Sequence, residues 1–297
     1  MSLVRSVMIC TYYDGSQKGY GDISKHINKK WVQEQNDYYD SITNPKPTEQ
    51  VRYNFFYDHA SALPKSHNKK KLWNKMPIIN KYLNELKTPD DDDDPKNDYA
   101  HDYVMYVDPK ACLRTNNSYK DLFESIVTKY SCKNFIFSSD KKSYMPYFVI
   151  FFVFLLFLLL ATILYLFSPY NRIFFISLIS LLVISMLIVL IIASVEYTDN
   201  WCVNSDVFIV KNSEYSRKMI NYWMSSDCYN TRKNPFQKHG CLKNSIVNNV
   251  NKIRNNSVVM DYGVITRDIY NKNNESLAIT FADNKDNKAI EELNKLK

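Results

Sequence analysis

The chain has 297 residues, 45% of them hydrophobic, and a net charge of +7. That length holds one sizeable domain or two small ones, and so mild a basic excess selects no class of polyanion, membrane or phosphate ligand. Cys10, Cys112, Cys132, Cys202, Cys228 and Cys241 include no C-x-x-C pair, which argues against a zinc site; with no secretory signal in MSLVRSVMIC, reduced thiols are expected.

RSVMICTY (5–12) reads as a first strand. In LWNKMPIINKYLNEL (72–86), Leu72, Met76, Ile79, Leu83 and Leu86 recur at steps of 4, 3, 4 and 3, one face of a helix. Pro77 must lie in its first turn, so the helix starts near Asn74 or Lys75. TPDDDDDPKND (88–98) is a charged, proline-bounded loop without the ligand spacing of a calcium site. DYVMYVD (102–108) is a strand that ends on a carboxylate. Ser118 and Asp121 precede a helix whose apolar face is Leu122, Phe123, Ile126, Val127 and Tyr130. NFIFSSD (134–140) is a further strand.

Residues 147–167 and 173–195 are uncharged runs of 21 and 23 residues, joined by SPYNR. About 20 apolar residues span a bilayer as a helix, so 147–195 is expected to be a two-pass transmembrane hairpin. Lys133, Lys141 and Lys142 precede it and only Arg172 occupies its turn. The positive-inside rule therefore places the N- and C-terminal parts on the cytosolic side. Beyond it, WCVNSDVFIV (201–210) is a strand, NSEYSRKMINYWMSS (212–226) a helix capped by Asn212, and KHGCLKNSIVNNVNKI (238–253) a helix. SVVMDYGVI (257–265) and LAITFAD (277–283) are late strands. Strands alternating with helices predict a three-layer α/β/α domain with a mostly parallel sheet. Residues 1–146 and 196–297 supply its two halves, with the hairpin inserted between them.

The order of these pieces resembles the GT-A nucleotide-sugar glycosyltransferases, in particular their galactosyl-, mannosyl- and xylosyltransferase group. MICTYYDG resembles the first strand and loop that hold the nucleotide, which assigns Thr11 and Tyr12 to donor binding. LWNKMPIINKYL resembles the group's tryptophan–lysine helix, and Lys75 would meet donor phosphates. DYVMYVDPKACL resembles the strand carrying the D-x-D metal motif. DNWCVNSDVFIVKNSEYSRKMINYW resembles the long segment facing donor sugar and acceptor, giving Asn204 and Ser205 as donor contacts and Asp206 as the acceptor-side carboxylate. PFQKHGCLKNSI places Gln237 on a catalytic glutamine, and SLAITFADN resembles the last strand.

The resemblance implies Mn²⁺ or Mg²⁺ at Asp108, yet Lys110 stands in place of the second carboxylate and Thr280 in place of the late histidine. Either Lys110 supplies the charge a metal would, or the fold has become a binder without turnover. The implied partners are a nucleotide-sugar donor, a glycan, lipid-linked or protein acceptor, and membrane lipid; nucleic acid is not expected. The alternative function is an inactive nucleotide-sugar binder or a non-enzymatic two-transmembrane interaction protein.

Overall fold

Val7, Met8, Ile9 and Cys10 are all buried in strand β1 (Arg5–Tyr12). An unbroken apolar run of this kind suits a strand covered on both faces. The computed structural model of the chain describes residues 5–12, 18–42, 51–58, 75–87, 99–114, 122–139, 145–167, 172–198, 203–225, 242, 245–246, 248–261, 264–268 and 276–280. β1 leads through α1 (Lys18–Ser41) to β2 (Val51–Asp58), then to α2 (Lys75–Leu83), β3 (Tyr103–Val107), β4 (Ala111–Leu113), α3 (Leu122–Lys129) and β5 (Phe135–Ser139). Helices α4 (Met145–Phe167) and α5 (Arg172–Thr198) follow. The chain then forms β6 (Val203–Lys211), α6 (Glu214–Met224), β7 (Ser257–Met260), β8 (Thr266–Asp268) and β9 (Ala278–Thr280).

The main sheet has the order β2-β1-β3-β6-β5-β7. Five strands run one way, and β6 runs antiparallel to both β3 and β5. The sheet is thus mixed and mostly parallel. A strand from beyond residue 200 lies at its centre, between two from the first half of the sequence. A small second sheet orders β4-β9-β8.

Alternate residues face opposite layers, as the pleat requires. On one face Val7, Ile9, Met105, Val107, Ile136 and Ile209 join a core with Trp31 of α1 and Phe123 of α3. On the other, Phe135 meets Trp223 of α6 at 5.1 Å between centroids, Phe137 meets Phe208 at 5.5 Å, and α2 packs on β1, β3 and α6. The result is three layers. Arg5 pairs with Glu124 to fasten β1 to α3.

Helix α1 and strand β2 add to the elements expected from the sequence. Other expectations need correction. The helix expected over 238–253 is broken: Asn249, Asn251 and Lys252 have left-handed φ values of 49°, 51° and 58°, and a separate turn of helix covers Ile253–Asn256. Asn and Lys at such angles interrupt the i→i−4 ladder. The strand expected over 257–265 stops at Met260. Asn212 does not cap α6. Its Nδ2 donates to the His101 carbonyl at 2.8 Å and its Oδ1 accepts from Arg217 at 2.6 Å, so Ser213 takes the cap, accepting from Ser216 N–H at 3.1 Å. Ser213 also donates to Asn134 Oδ1 at 2.7 Å. Ser213→Ala is expected to destabilise the unit by about 1–2 kcal/mol, read as a lowered thermal midpoint; Ser213→Thr, whose hydroxyl both accepts and donates, should recover most of it.

Residues 140–202 form a second compact unit. Within it α4 and α5 pack on each other. Val149–Phe167 and Arg172–Ile191 are long and apolar enough to cross a membrane, with mean hydropathy 3.1 each and almost no burial. The hydroxyls of Thr162, Ser177, Ser180 and Ser185 each donate to the carbonyl four residues back, at 2.8–3.0 Å. Their polar atoms are therefore satisfied within the helix.

Candidate functional site

The chain leaves β1 for β2 on one side and reaches β3 on the other. Such a switch in strand order opens a crevice at the carboxyl ends of the two parallel strands. Thr11 and Tyr12 end β1 there, both buried. Thr11 Oγ1 donates to the Val107 carbonyl at 2.7 Å and so locks the two strand ends together.

Asp108 is the first residue after β3. Its N–H donates to the Asp206 carbonyl at 2.6 Å, across the β3–β6 ladder. Its carboxylate Oδ1 accepts the Lys110 N–H at 3.1 Å, and its carbonyl accepts from Ala111 N–H at 2.7 Å. That is an aspartate-initiated turn over Pro109, the bend that carries the chain into β4. Ser24 Oγ, donating to the Ala111 carbonyl at 2.7 Å, and Asn28 Oδ1, accepting from Leu113 N–H at 2.8 Å, hold β4 from α1. On the facing strand Asp206 N–H donates to Asn204 Oδ1 at 2.7 Å.

Lys75 enters this group from the first position of α2. It is 6% exposed, the opposite of a solvated surface lysine. Its Nζ donates to Ser205 Oγ at 2.7 Å and to the Ser205 carbonyl at 3.1 Å, and lies 5.5 Å from the Tyr106 ring centre. Burial lowers the Lys75 pKa, against the opposing pull of Asp108 and Asp206. Burial first, and then the Asp206 charge, push Asp108 up to about 6, while Lys75 and Lys110 hold it back. These shifts follow the expected signs for desolvation and like charge. Tyr106 is pushed far up, by burial first and then by the Asp108 charge.

The structure therefore brings Thr11, Tyr12, Lys75, Asp108, Lys110, Asn204, Ser205 and Asp206 to one edge of the sheet. Gln237 lies outside the described residues, as does Trp73 of the tryptophan–lysine segment. Lys110, read from the sequence as a possible stand-in for the metal charge, follows Asp108 in the turn. The buried ammonium that acts most strongly on Asp108 is Lys75, and the Lys110 backbone supplies a hydrogen bond.

Does the donor set fit Mn²⁺ or Mg²⁺? Hard divalent ions want six or more oxygens. No group of three His, Cys, Asp or Glu side chains that could hold a metal occurs among the described residues. Here two carboxylates share their surroundings with two lysines, one of them buried. Among the described residues the donor set does not fit a resident divalent ion.

A second polar cluster sits at the other end of β1 and β3. Ser6 Oγ lies 3.0 Å from His101 Nδ1, and His101 Nε2 lies 2.9 Å from Glu85 Oε2. The order serine–histidine–carboxylate resembles a nucleophilic triad. The Ser6 N–H, however, is spent on Asp102 Oδ2 at 2.8 Å, and the His101 carbonyl is spent on Asn212. This cluster clamps β1, β3 and the entry to α6.

No protein-family model matches the chain, and no curated protein matches it significantly. The solved structures to which the chain is similar include glycosyltransferases. A glycosyltransferase involved in glycosylation of the major capsid of PBCV-1 aligns over 98% of both chains, at 9% identity and a TM-score of 0.48. The galactosyltransferase LgtC, with donor and acceptor sugar analogues, aligns over 97% of this chain and 94% of its own, at 11% identity and a TM-score of 0.41. An active-site mutant of LgtC aligns over the same shares at 8% and 0.42. Identities this low say nothing of substrate.

Proposed function

We propose that the chain is a membrane-anchored glycosyltransferase of GT-A type, or a derivative of one, that binds a nucleotide sugar in the crevice between the ends of β1 and β3. One observation carries the reading: Asp108, Asp206 and the buried ammonium of Lys75 converge where the strand order switches, from three separate stretches of sequence. Thr11 and Tyr12 line the nucleotide end. Asn204 and Ser205 lie on the sugar side. Asp206 is the carboxylate offered to an acceptor hydroxyl, which a general base must reach within hydrogen-bond distance. The acceptor is a glycan, a lipid-linked saccharide or a protein. A second reading, binding without turnover, is favoured by Lys110 standing where the family's second metal carboxylate would be.

The apolar helices anchor the protein as a two-pass hairpin, with both flanking parts cytosolic. Cys132 is an exposed free thiol on the N-terminal side. In sealed, cytosol-side-out vesicles a membrane-impermeant maleimide should label Cys132 without detergent, and alkaline extraction should leave the chain in the membrane. Labelling that needs detergent contradicts this topology.

The functional test is a panel of UDP- and GDP-sugars titrated into the full chain in lipid nanodiscs, followed by transfer assays with labelled donor. Saturable binding of a nucleotide sugar, with transfer lost in Asp206→Asn, supports the reading. Binding of none of them contradicts it, and binding with neither donor hydrolysis nor transfer selects the second reading.

A further inference from the structure

Residues 140–202 are inserted at a particular place in the sheet. β3 and β5 both run antiparallel to β6, so the carboxyl ends of β3 and β5 and the start of β6 share one edge. Ser139, which ends β5, pairs with Val203, which starts β6, and Ser138 pairs with Asn204. The register then shifts. Phe137 faces Phe208, which leaves Ser205, Asp206 and Val207 opposite no residue of β5. Bulges of this kind re-aim side chains beside active sites. The chain therefore leaves the sheet and returns to it at the edge that carries Asp108 and Asp206.

The connections are short. From Ser139 to Met145, the start of α4, the chain can reach about 22 Å, and from Thr198, the end of α5, to Val203 about 18 Å. Helical rise to the apolar spans, which begin at Val149 and end at Ile191, adds about 6 and 10 Å. Covalent length alone thus caps the distance from each strand end to its apolar span at about 28 Å. A hairpin hung from Lys211, where β6 ends, would put a nine-residue strand, about 30 Å, between its attachment and the crevice.

We propose that the acceptor is lipid-borne: a hydroxyl of a lipid headgroup, or of a saccharide carried on one. The inference rests on the nucleotide-sugar and membrane readings above and selects one acceptor class among the three. A site tied this closely to membrane spans meets headgroups confined to the same plane, at an effective concentration far above that of a dilute soluble glycan. Lipid is favoured over a protein acceptor because the two spans are almost unburied, so acyl chains are what surrounds them in a bilayer. In the transfer, the headgroup oxygen bonds to the anomeric carbon of the donor sugar and the bond from that carbon to the diphosphate oxygen breaks. The nucleoside diphosphate leaves with the electron pair, and the hydroxyl proton passes to Asp206.

The test places the full chain in phosphatidylcholine nanodiscs containing phosphatidylinositol and glucosylceramide, with inositol, lactose and casein in solution, and supplies radiolabelled UDP- and GDP-sugars. At least about tenfold more label should enter the chloroform–methanol lipid extract than the soluble acceptors. Lengthening both connections by about 20 Gly/Ser residues, after Asp140 and after Asn200, should cut lipid labelling about 3- to 10-fold while donor affinity holds within about twofold. A phosphatidylcholine with a headgroup diazirine needs neither turnover nor a variant: its crosslinks should fall on Ser139, Asn204 or Asp206 and not on Glu85, His101 or Ser213 at the opposite edge. Crosslinks equal at both edges, label chiefly on inositol, lactose or casein, lipid labelling unchanged by the longer connections, or donor binding without labelled lipid overturns the inference and leaves the nucleotide-sugar reading standing. Binding of no donor overturns both.

Discussion

Trp223→Ala is expected to destabilise the sheet-bearing unit by about 3–5 kcal/mol. The side chain is fully buried, and its ring lies 5.1 Å from that of Phe135 on β5. Its indole N–H donates to Ser245 Oγ at 3.1 Å, joining α6 to a segment 22 residues further on. Truncation removes the transfer energy of the indole and leaves a cavity that the stacked Phe135–Phe137 pair does not fill. In a unit of this size the thermal midpoint should fall by about 6–20 °C. Trp223→Phe should lose less, since it keeps the aromatic contact and gives up only the hydrogen bond and part of the volume. A fall of less than about 3 °C for the alanine variant would mean that α6 does not seal this face of the sheet.

Asp108→Asn is expected to act in the opposite direction on stability. Burial and the Asp206 charge raise the Asp108 pKa from 3.8 to about 6. Between about pH 4 and pH 6 the folded protein holds a proton that the unfolded chain has already lost. Stability therefore falls as pH climbs through that window and stays reduced above it. The difference is worth about 3 kcal/mol at most, and about 1–3 kcal/mol is expected at pH 7.5. Asparagine removes the charge and keeps an oxygen for the Lys110 N–H. Thermal melts should show the variant more stable than wild type at pH 7.5, the two converging near pH 4. A variant less stable at pH 7.5 would show that Asp108 is retained for folding. The predicted gain marks a residue kept at a cost, as functional sites commonly are.

Much of the framework could be read locally. β1, β3, β5 and β6 are dense apolar runs, and Pro77 fixed the start of α2 within a residue. Helix α1 was hidden because Gly19, Gly21 and a lysine- and asparagine-rich surface dilute its pattern. In retrospect Ile23, Ile27, Trp31, Gln35 and Tyr39 recur every four residues, and all are buried. β2 was missed among polar and aromatic residues with no clean alternation. The Lys75 contact had a partial signal. Lys75, Ile79, Tyr82 and Leu83 share the buried face of α2, so a lysine stood in register with apolar residues. Its partner Ser205 lies 130 residues away and is set by sheet register, which no local pattern encodes. The same holds for the backbone bond between Asp108 and Asp206. Asn212 had the right residue type for a cap, but tertiary hydrogen bonds claimed its side chain first.

The most direct test of the central claim is residue-level photo-crosslinking of the full chain with an azido-UDP or azido-GDP probe, protected by excess unlabelled nucleotide. Protectable label on Thr11, Tyr12 or the segment from Asn204 to Asp206 is the predicted result. Protectable label confined to the Ser6–His101–Glu85 end of the sheet, or no protectable label from either probe, would contradict a nucleotide site at the β1–β3 crevice.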